Sequence, residues 1–119
     1  MLNCLFVGIG GFFGCILRYL AGLLPVRTGG FPLVTLVINI VGAFALGLFS
    51  ALVLKRPSVS PQLSLMLRTG LCGGFTTFST FAFECTSLME SGKTGLAVLY
   101  AAASLILGCL ASFAGQKII

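Results

Sequence analysis

Hydroxyl-bearing residues follow a pair of glycines inside an apolar segment that is long enough to cross a membrane. In residues 68–84 the only Leu, Ile or Val is Leu71, and the pair Gly73-Gly74 is followed by a run rich in Ser and Thr. Adjacent glycines make a continuous helix costly, and Ser and Thr offer the backbone competing hydrogen bonds. We therefore predict a helix break near residues 73–79, with unwound carbonyls able to coordinate a cation. A kinked but continuous helix is the alternative.

Polar and aromatic side chains in three of the apolar segments suit a small anion. Asn39 offers two amide N–H donors to an anion, or it bonds a neighbouring helix. Phe78 and Phe81 are three residues apart and share a helix face. Their positive ring edges favour an anion that has shed its water, unless the rings only fill the core. Tyr100 and Ser104 stack on one face of the fourth segment, as a polar track or as partners of backbone carbonyls.

Arg18 and Glu84 are charged residues within the apolar segments. Arg18 either extends to the lipid headgroups or gives a vestibule a positive potential. Glu84 is the only acidic residue inside a predicted span. Its place near the end of that span argues against proton coupling and fits a vestibule or a salt bridge.

The composition predicts an all-α membrane protein. Of 119 residues, 58% are hydrophobic, nine are charged, and the mean hydropathy is +1.16. A soluble domain would carry roughly a quarter charged residues. A single domain, residues 1–119, should contain four transmembrane helices, each long enough for a hydrocarbon core about 30 Å thick. We place them at residues 3–24, 33–54, 63–88 and 95–115.

The basic residues are scattered and almost evenly divided between the two membrane faces. Short connections make neighbouring helices antiparallel. One face then carries Lys55, Arg56, Arg68 and Lys117, and the other carries Arg18, Arg27 and Lys93. Scattered charges exclude a nucleic-acid surface. The weak bias means either a weak preference in orientation or insertion in both orientations.

Small residues recur at the spacing used for close helix contacts. GxxxG pairs occur at Gly10 with Gly14 and at Gly70 with Gly74. Such pairs let helix backbones approach, within one subunit or between two. Four helices enclose little space, so a pathway needs either a partner subunit or a very narrow pore. The five cysteines sit in apolar runs without a CxxC spacing, which indicates small buried residues rather than a metal or disulfide site.

Three motifs resemble those of the Fluc (CrcB) fluoride channels, and the resemblance extends along essentially the whole chain. They are Gly10-Gly-Phe-Phe-Gly-Cys-Ile-Leu-Arg-Tyr19, Thr35-Leu-Val-Ile-Asn39 with Gly42, and Gly73-Gly-Phe-Thr-Thr-Phe-Ser-Thr-Phe81. Two positions depart from the family pattern. Gly108 stands where some members continue the polar track with serine, and Val34 replaces the usual glycine.

The resemblance implies a dual-topology homodimer in the plasma membrane. Two antiparallel copies would form two narrow pores that export fluoride passively, because fluoride enters acidified cells as the acid and dissociates inside. A structural sodium ion would be held at the dimer interface by the backbone carbonyls of Gly73 and Thr76. The implied pore residues are Asn39, Phe78, Thr80, Phe81, Tyr100 and Ser104, and the vestibule residues are Arg18 and Glu84.

Three other functions compete with this one. A proton-coupled small multidrug exporter would need an acidic residue deep in the first helix, and none is present. A non-transporting assembly subunit would use its glycines for partner helices and would carry no ion flux. An enzyme is disfavoured because no nucleophile–base pair or metal cluster is visible.

Overall fold

In the computed structural model, which describes residues 1–26 and 28–119, every regular element is helical. This confirms the all-α prediction, with four helical segments of which the third is interrupted. The interrupted segment consists of α3, residues 61–75, and α4. In that segment α4 is Phe78–Glu90. The other helices are α1 (Leu2–Gly22), α2 (Leu33–Lys55) and α5 (Thr94–Lys117). Arg27, one of the basic residues counted above, lies outside the described residues.

Three of the helices are long and apolar enough to span a bilayer without interruption. They are α1, α2 and α5, with 21, 23 and 24 residues. Large apolar side chains such as Phe12, Leu105 and Phe113 are exposed along them. These side chains are stable there because the surrounding solvent is hydrocarbon rather than water. The chain is therefore a multi-pass integral membrane protein, as predicted.

The third segment changes its winding before it breaks. Ser60 caps the start of α3, where its hydroxyl accepts a hydrogen bond from the Leu63 amide at 3.1 Å. Within α3, Met66–Cys72 is wound as a π-helix and Gly73–Phe75 returns to α-helix. π-Helical turns are rare and occur mostly at functional sites. The unusual winding thus lies immediately before the predicted break.

The break itself consists of two threonines in extended conformation. Thr76 has ψ 159°, and Thr77 has φ −149° and ψ 117°. The Thr77 side chain then caps α4 by accepting a hydrogen bond from the Thr80 amide at 3.2 Å. The interruption lies within the predicted range, but the two glycines thought to cause it remain helical. The competing hydrogen bonds of threonine, rather than glycine flexibility, mark where the helix ends.

The glycines serve helix packing instead. Gly10 and Gly14 of α1 face Gly70 and Gly74 of α3, so that backbone touches backbone. A Cβ atom added to Gly74 would lie 2.8 Å from the Gly11 carbonyl oxygen. The two GxxxG pairs therefore form one contact within the subunit, which we call the glycine seam. It fixes α1 against the end of α3.

The second contact joins α2 to α5, again through small residues. A Cβ at Gly47 would collide with the Ser112 carbonyl, and one at Gly115 with the Phe44 carbonyl. Beside this contact, α4 packs on α5 through a buried cluster that includes Leu88, Ala97 and the fully buried Tyr100. These contacts place α2, the break and α5 around one face of the subunit.

Candidate functional site

The break is held open from one side by Asn39 of α2. Its Oδ1 accepts a hydrogen bond from the Thr77 amide at 2.8 Å, and its Nδ2 donates to the Thr77 carbonyl at 3.0 Å. The first bond replaces the one that the Thr77 amide loses at the break, and the second adds a donor to a carbonyl that, as the N-cap of α4, already accepts the first bond of that helix. Of the two roles predicted for Asn39, the structure places the interhelical one, and one amide N–H remains for a further acceptor.

Arg18 of α1 reaches the break from the opposite side. Its Nε donates a hydrogen bond to the Gly74 carbonyl at 3.1 Å, and the side chain is half-buried. In a continuous helix that carbonyl would accept from the amide of Phe78. A guanidinium from another helix has taken the place of that donor.

The carbonyls of Gly73 and Thr76 are released from helical pairing at the break, as that of Gly74 is. In a continuous helix the Gly73 carbonyl would accept from Thr77 and the Thr76 carbonyl from Thr80. Those two amides donate instead to Asn39 and to the Thr77 hydroxyl. Backbone carbonyls are the ligands that membrane proteins offer to Na⁺ and K⁺. The carbonyls of Gly73 and Thr76, which sequence analysis proposed as sodium ligands, thus suit such a cation.

The described residues offer no cluster of three or more His, Cys, Asp or Glu side chains for a metal ion. A cation at the break would therefore be bound by oxygen atoms, from main-chain carbonyls or from threonine and asparagine side chains. That donor set fits a hard monovalent ion and does not fit a transition metal.

An open groove of about 790 Å³ runs beside the break, between α2, α3 and α5. We call it the pore groove. Gly42 and Gly108 lie in its walls. Most of the predicted site residues line it as well, namely Asn39, Gly73, Thr76, Phe78, Phe81 and Ser104. The Ser104 hydroxyl is buried, and within the described ranges it has no hydrogen-bond partner. An unsatisfied buried hydroxyl is costly unless something else binds it.

A row of aromatic rings leads from the pore groove into the subunit. Phe78 is 78% exposed on the groove, and its ring centroid lies 5.8 Å from that of Phe81. Phe81 meets Tyr100 edge to face at 5.0 Å, and Tyr100 meets Phe31 at 5.6 Å in the same manner. Edge-to-face contact turns positive ring edges toward neighbouring electron density. Thr80, beside these rings, accepts a hydrogen bond at 3.1 Å through its Oγ1 from the Thr77 hydroxyl.

From Tyr100 in this row a hydrogen bond leads to Glu84, which lines a second cleft. Tyr100 donates a hydrogen bond to Glu84 Oε1 at 2.9 Å, and Thr35 donates to Oε2 at 3.1 Å. The cleft, about 550 Å³, opens at the α4–α5 end of the molecule and is lined by Glu84, Phe31 and Lys93 among others. Glu84 therefore lies between buried hydroxyl donors and the open cleft.

Sequence analysis missed three residues of this site. Thr35 and Thr77 donate to or accept from the predicted residues, and Phe31 extends the aromatic row. Thr35 lies one helical turn before Asn39, so the shared helix face was available as a clue. Thr77 belongs to the hydroxyl run, but its pairing with another helix depends on tertiary contacts that local spacing does not encode.

These features define a class of protein, namely a multi-pass helical membrane protein with an interrupted helix beside an open polar and aromatic groove. Residues 5–116 match the family described as CrcB-like protein, Camphor Resistance (CrcB). The chain belongs to that family, which confirms the resemblance inferred from its three motifs.

Similar proteins carry a uniform description. The chain is 48% identical to "Fluoride-specific ion channel FluC 2" of Geobacillus kaustophilus, over 92% of this chain and 86% of that one. It is 45% identical to "Fluoride-specific ion channel FluC" of Agrobacterium fabrum, over 97% of this chain and 94% of that one. A Chlorobium phaeobacteroides protein of the same description is 49% identical over 93% and 87%.

Proposed function

We propose that this protein is a fluoride-selective channel that lets fluoride leave the cell passively across the plasma membrane. The observation that carries the proposal is the pore groove, where the buried Ser104 hydroxyl and the exposed Phe78 ring lie beside the interrupted helix. Fluoride is a small anion that gives up strong hydration only for strong hydrogen bonds. Hydroxyl and amide donors next to ring edges offer that exchange. The names of the similar proteins support the same ion.

The channel acts as an antiparallel homodimer with two pores. The pore groove is open along one side of the subunit, so a single copy does not enclose a pathway. A second copy inserted in the opposite orientation would cover the groove with its own groove face. The nearly even distribution of basic residues gives insertion little preference, which such a pairing requires.

A sodium ion at the centre of the dimer belongs to this proposal. The carbonyls of Gly73 and Thr76 would hold it, since both have lost their helical donors. When bound, the ion supplies a fixed positive charge that lowers the electrostatic cost of bringing an anion to membrane depth. Asn39 keeps Thr77 out of the helix and so keeps the two carbonyls available.

Within each pore, the residues divide into a selective part and a vestibule. Asn39, Thr80 and Ser104 supply N–H and O–H donors, and Phe78 and Phe81 supply ring edges. Tyr100 lies behind them, with its ring against Phe81 and its O–H donated to Glu84. Arg18 and Glu84 set the charge of the vestibules at the ends of the pathway.

Fluoride release from liposomes tests the function. Purified protein in vesicles loaded with fluoride or with chloride should release fluoride and retain chloride, measured with ion-selective electrodes. Equal rates for both anions would remove the selectivity, and no flux at all would favour a non-transporting assembly subunit.

Accessibility labelling of a terminal tag tests the dimer separately. In membrane vesicles the tag should be reached by impermeant reagent from both sides in about equal amounts. A tag labelled from one side alone would contradict antiparallel pairing, whatever the flux.

A further inference from the structure

Arg18 contacts a backbone carbonyl that the helix break has left without its donor. The glycine seam explains how it reaches that carbonyl, because close contact at Gly14 and Gly74 brings α1 against the end of α3. One helical turn after Gly14, the Arg18 Nε donates to the Gly74 carbonyl at 3.1 Å. The sequence alone gave this arginine only a charge; the structure gives it a specific acceptor.

We propose that Arg18 is a positioning residue that holds the last turn of α3 in helical form through this hydrogen bond. The turn ends at Phe75, and the released Gly73 and Thr76 carbonyls lie on either side of the bonded one. If the Gly74 carbonyl were unpaired, the cost of leaving it so would favour rotation of the adjacent peptides. Asn39 fixes the far side of the break at Thr77 in the same way.

This role is separate from the vestibule charge assigned to Arg18 above. A charge acts through its sign at a distance, whereas a clamp requires a donor at one position. The connection from the clamp to fluoride flux rests on the proposed function; the effect of the hydrogen bond on the break does not.

Three substitutions separate donor from charge. In Arg18→Gln, the amide Nε2 is as many bonds from Cα as the arginine Nε, so the donor is kept and the charge is lost. In Arg18→Lys, the charge is kept but the ammonium lies one bond further out. In Arg18→Met, a methyl group occupies the position of the donor and both properties are lost. Arg56→Gln is the matched control, because Arg56 is an exposed arginine just after α2 whose loss changes the net charge equally.

Hydrogen exchange of the break amides in the purified full-length protein is the readout. The amides of Thr76, Thr77 and Thr80 bond to Cys72, to Asn39 and to the Thr77 hydroxyl, and they report directly on the break. Arg18→Lys and Arg18→Met should speed their exchange about tenfold, the upper end of what one hydrogen bond from a neutral donor contributes. Arg18→Gln and Arg56→Gln should leave it within about twofold of the unmodified protein. Amides in the middle of α5 serve as the internal reference.

Fast exchange in Arg18→Gln together with slow exchange in Arg18→Lys would show that only charge matters and would overturn the proposal. Unchanged exchange in both Lys and Met variants would overturn it as well. If Arg18→Met fails to fold, the ranking of Gln against Lys still decides. Fluoride flux of the unmodified protein is measured in parallel, so a protein that carries no fluoride but keeps this ranking would refute the channel and not the clamp.

Discussion

The glycine seam and the pore groove both contain glycines, but the glycines serve opposite purposes in the two regions. In the seam, Gly10 and Gly74 lie against backbone atoms of the facing helix, with no room for a methyl group. In the groove, added Cβ atoms at Gly73 and Gly108 would meet nothing within 4 Å. The adjacent glycines 73 and 74 thus belong to different surfaces. One closes the subunit, and the other leaves space at a face that we assign to a second copy and to the ion.

The hydrogen bonding of the two regions differs in the same sense. Beside the seam, a donor from α1 reaches the Gly74 carbonyl that the break has released. On the groove, the Ser104 hydroxyl is buried without a partner among the described residues. A buried hydroxyl without a partner costs free energy, and a molecule bound at the groove would remove that cost. Substitutions in the seam should therefore affect folding, and substitutions in the groove should affect flux.

The largest effect is expected in the seam. Gly10→Ala would place a methyl group against the Met66 carbonyl and should cost about 3 kcal/mol in the free energy of unfolding, or prevent folding. Gly8→Ala is the control on the same helix, because its Cβ would meet nothing within 4 Å. Thermal unfolding in detergent compares the two. Equal stabilities would show that the seam is not tightly packed.

The next largest effect is expected where α2 holds the break. Asn39→Leu removes both hydrogen bonds to Thr77 and leaves the Thr77 amide unpaired, at about 1–3 kcal/mol. Fluoride flux should fall by about a hundredfold or more if the break loses its shape. Asn39→Asp keeps the acceptor and loses the donor. Its flux in the same liposome assay should lie between that of the unmodified protein and that of Asn39→Leu. Full flux in Asn39→Leu would separate the break from conduction.

A smaller loss is expected from the groove rings. Phe78→Ile and Phe81→Ile remove ring edges and should each lower fluoride flux by up to about tenfold, the scale of a single ring interaction. Dimer formation, followed by size-exclusion chromatography or cross-linking, should persist. Phe83→Ile is the matched control because Phe83 is an exposed ring on the same helix that does not line the groove. Equal losses in all three variants would make the rings packing residues.

The smallest effect is expected at the unpaired hydroxyl. Ser104→Ala should lower flux by about threefold to tenfold, the worth of one neutral hydrogen bond, and should leave stability unchanged or slightly raised. Ser112→Ala on the same helix, whose hydroxyl is already paired with Gln116, should leave flux unchanged. A loss of stability without a loss of flux at Ser104 would place that hydroxyl in the fold rather than in the pore.

The helices could be predicted because the apolar runs that form them are visible in short stretches of the sequence. Runs of apolar residues identified α1, α2 and α5, and the hydroxyl run located the break to within a few residues. The cause of the break was only partly anticipated. Gly73 and Gly74 both stay helical. Close packing against α1 compensates for the low helix propensity of Gly74, whereas Gly73 stays helical without such a contact.

The partners of the polar residues could not be predicted in the same way. Arg18 is 56 positions from Gly74, Asn39 is 38 from Thr77, and Thr35 is 49 from Glu84. Those pairs depend on how whole helices pack, which single-segment patterns do not specify. Asn39 is an example. From the sequence alone, a role as an anion donor and a role in an interhelical hydrogen bond were equally open. The structure uses it at the break.

A crystal structure of the purified protein, from crystals grown in a solution that contains sodium ions, tests the central claim most directly. The account predicts two copies in opposite orientations, with an ion coordinated by the carbonyls of Gly73 and Thr76 from both. An unbroken third helix, or copies that face the same way with no ion between them, would contradict it.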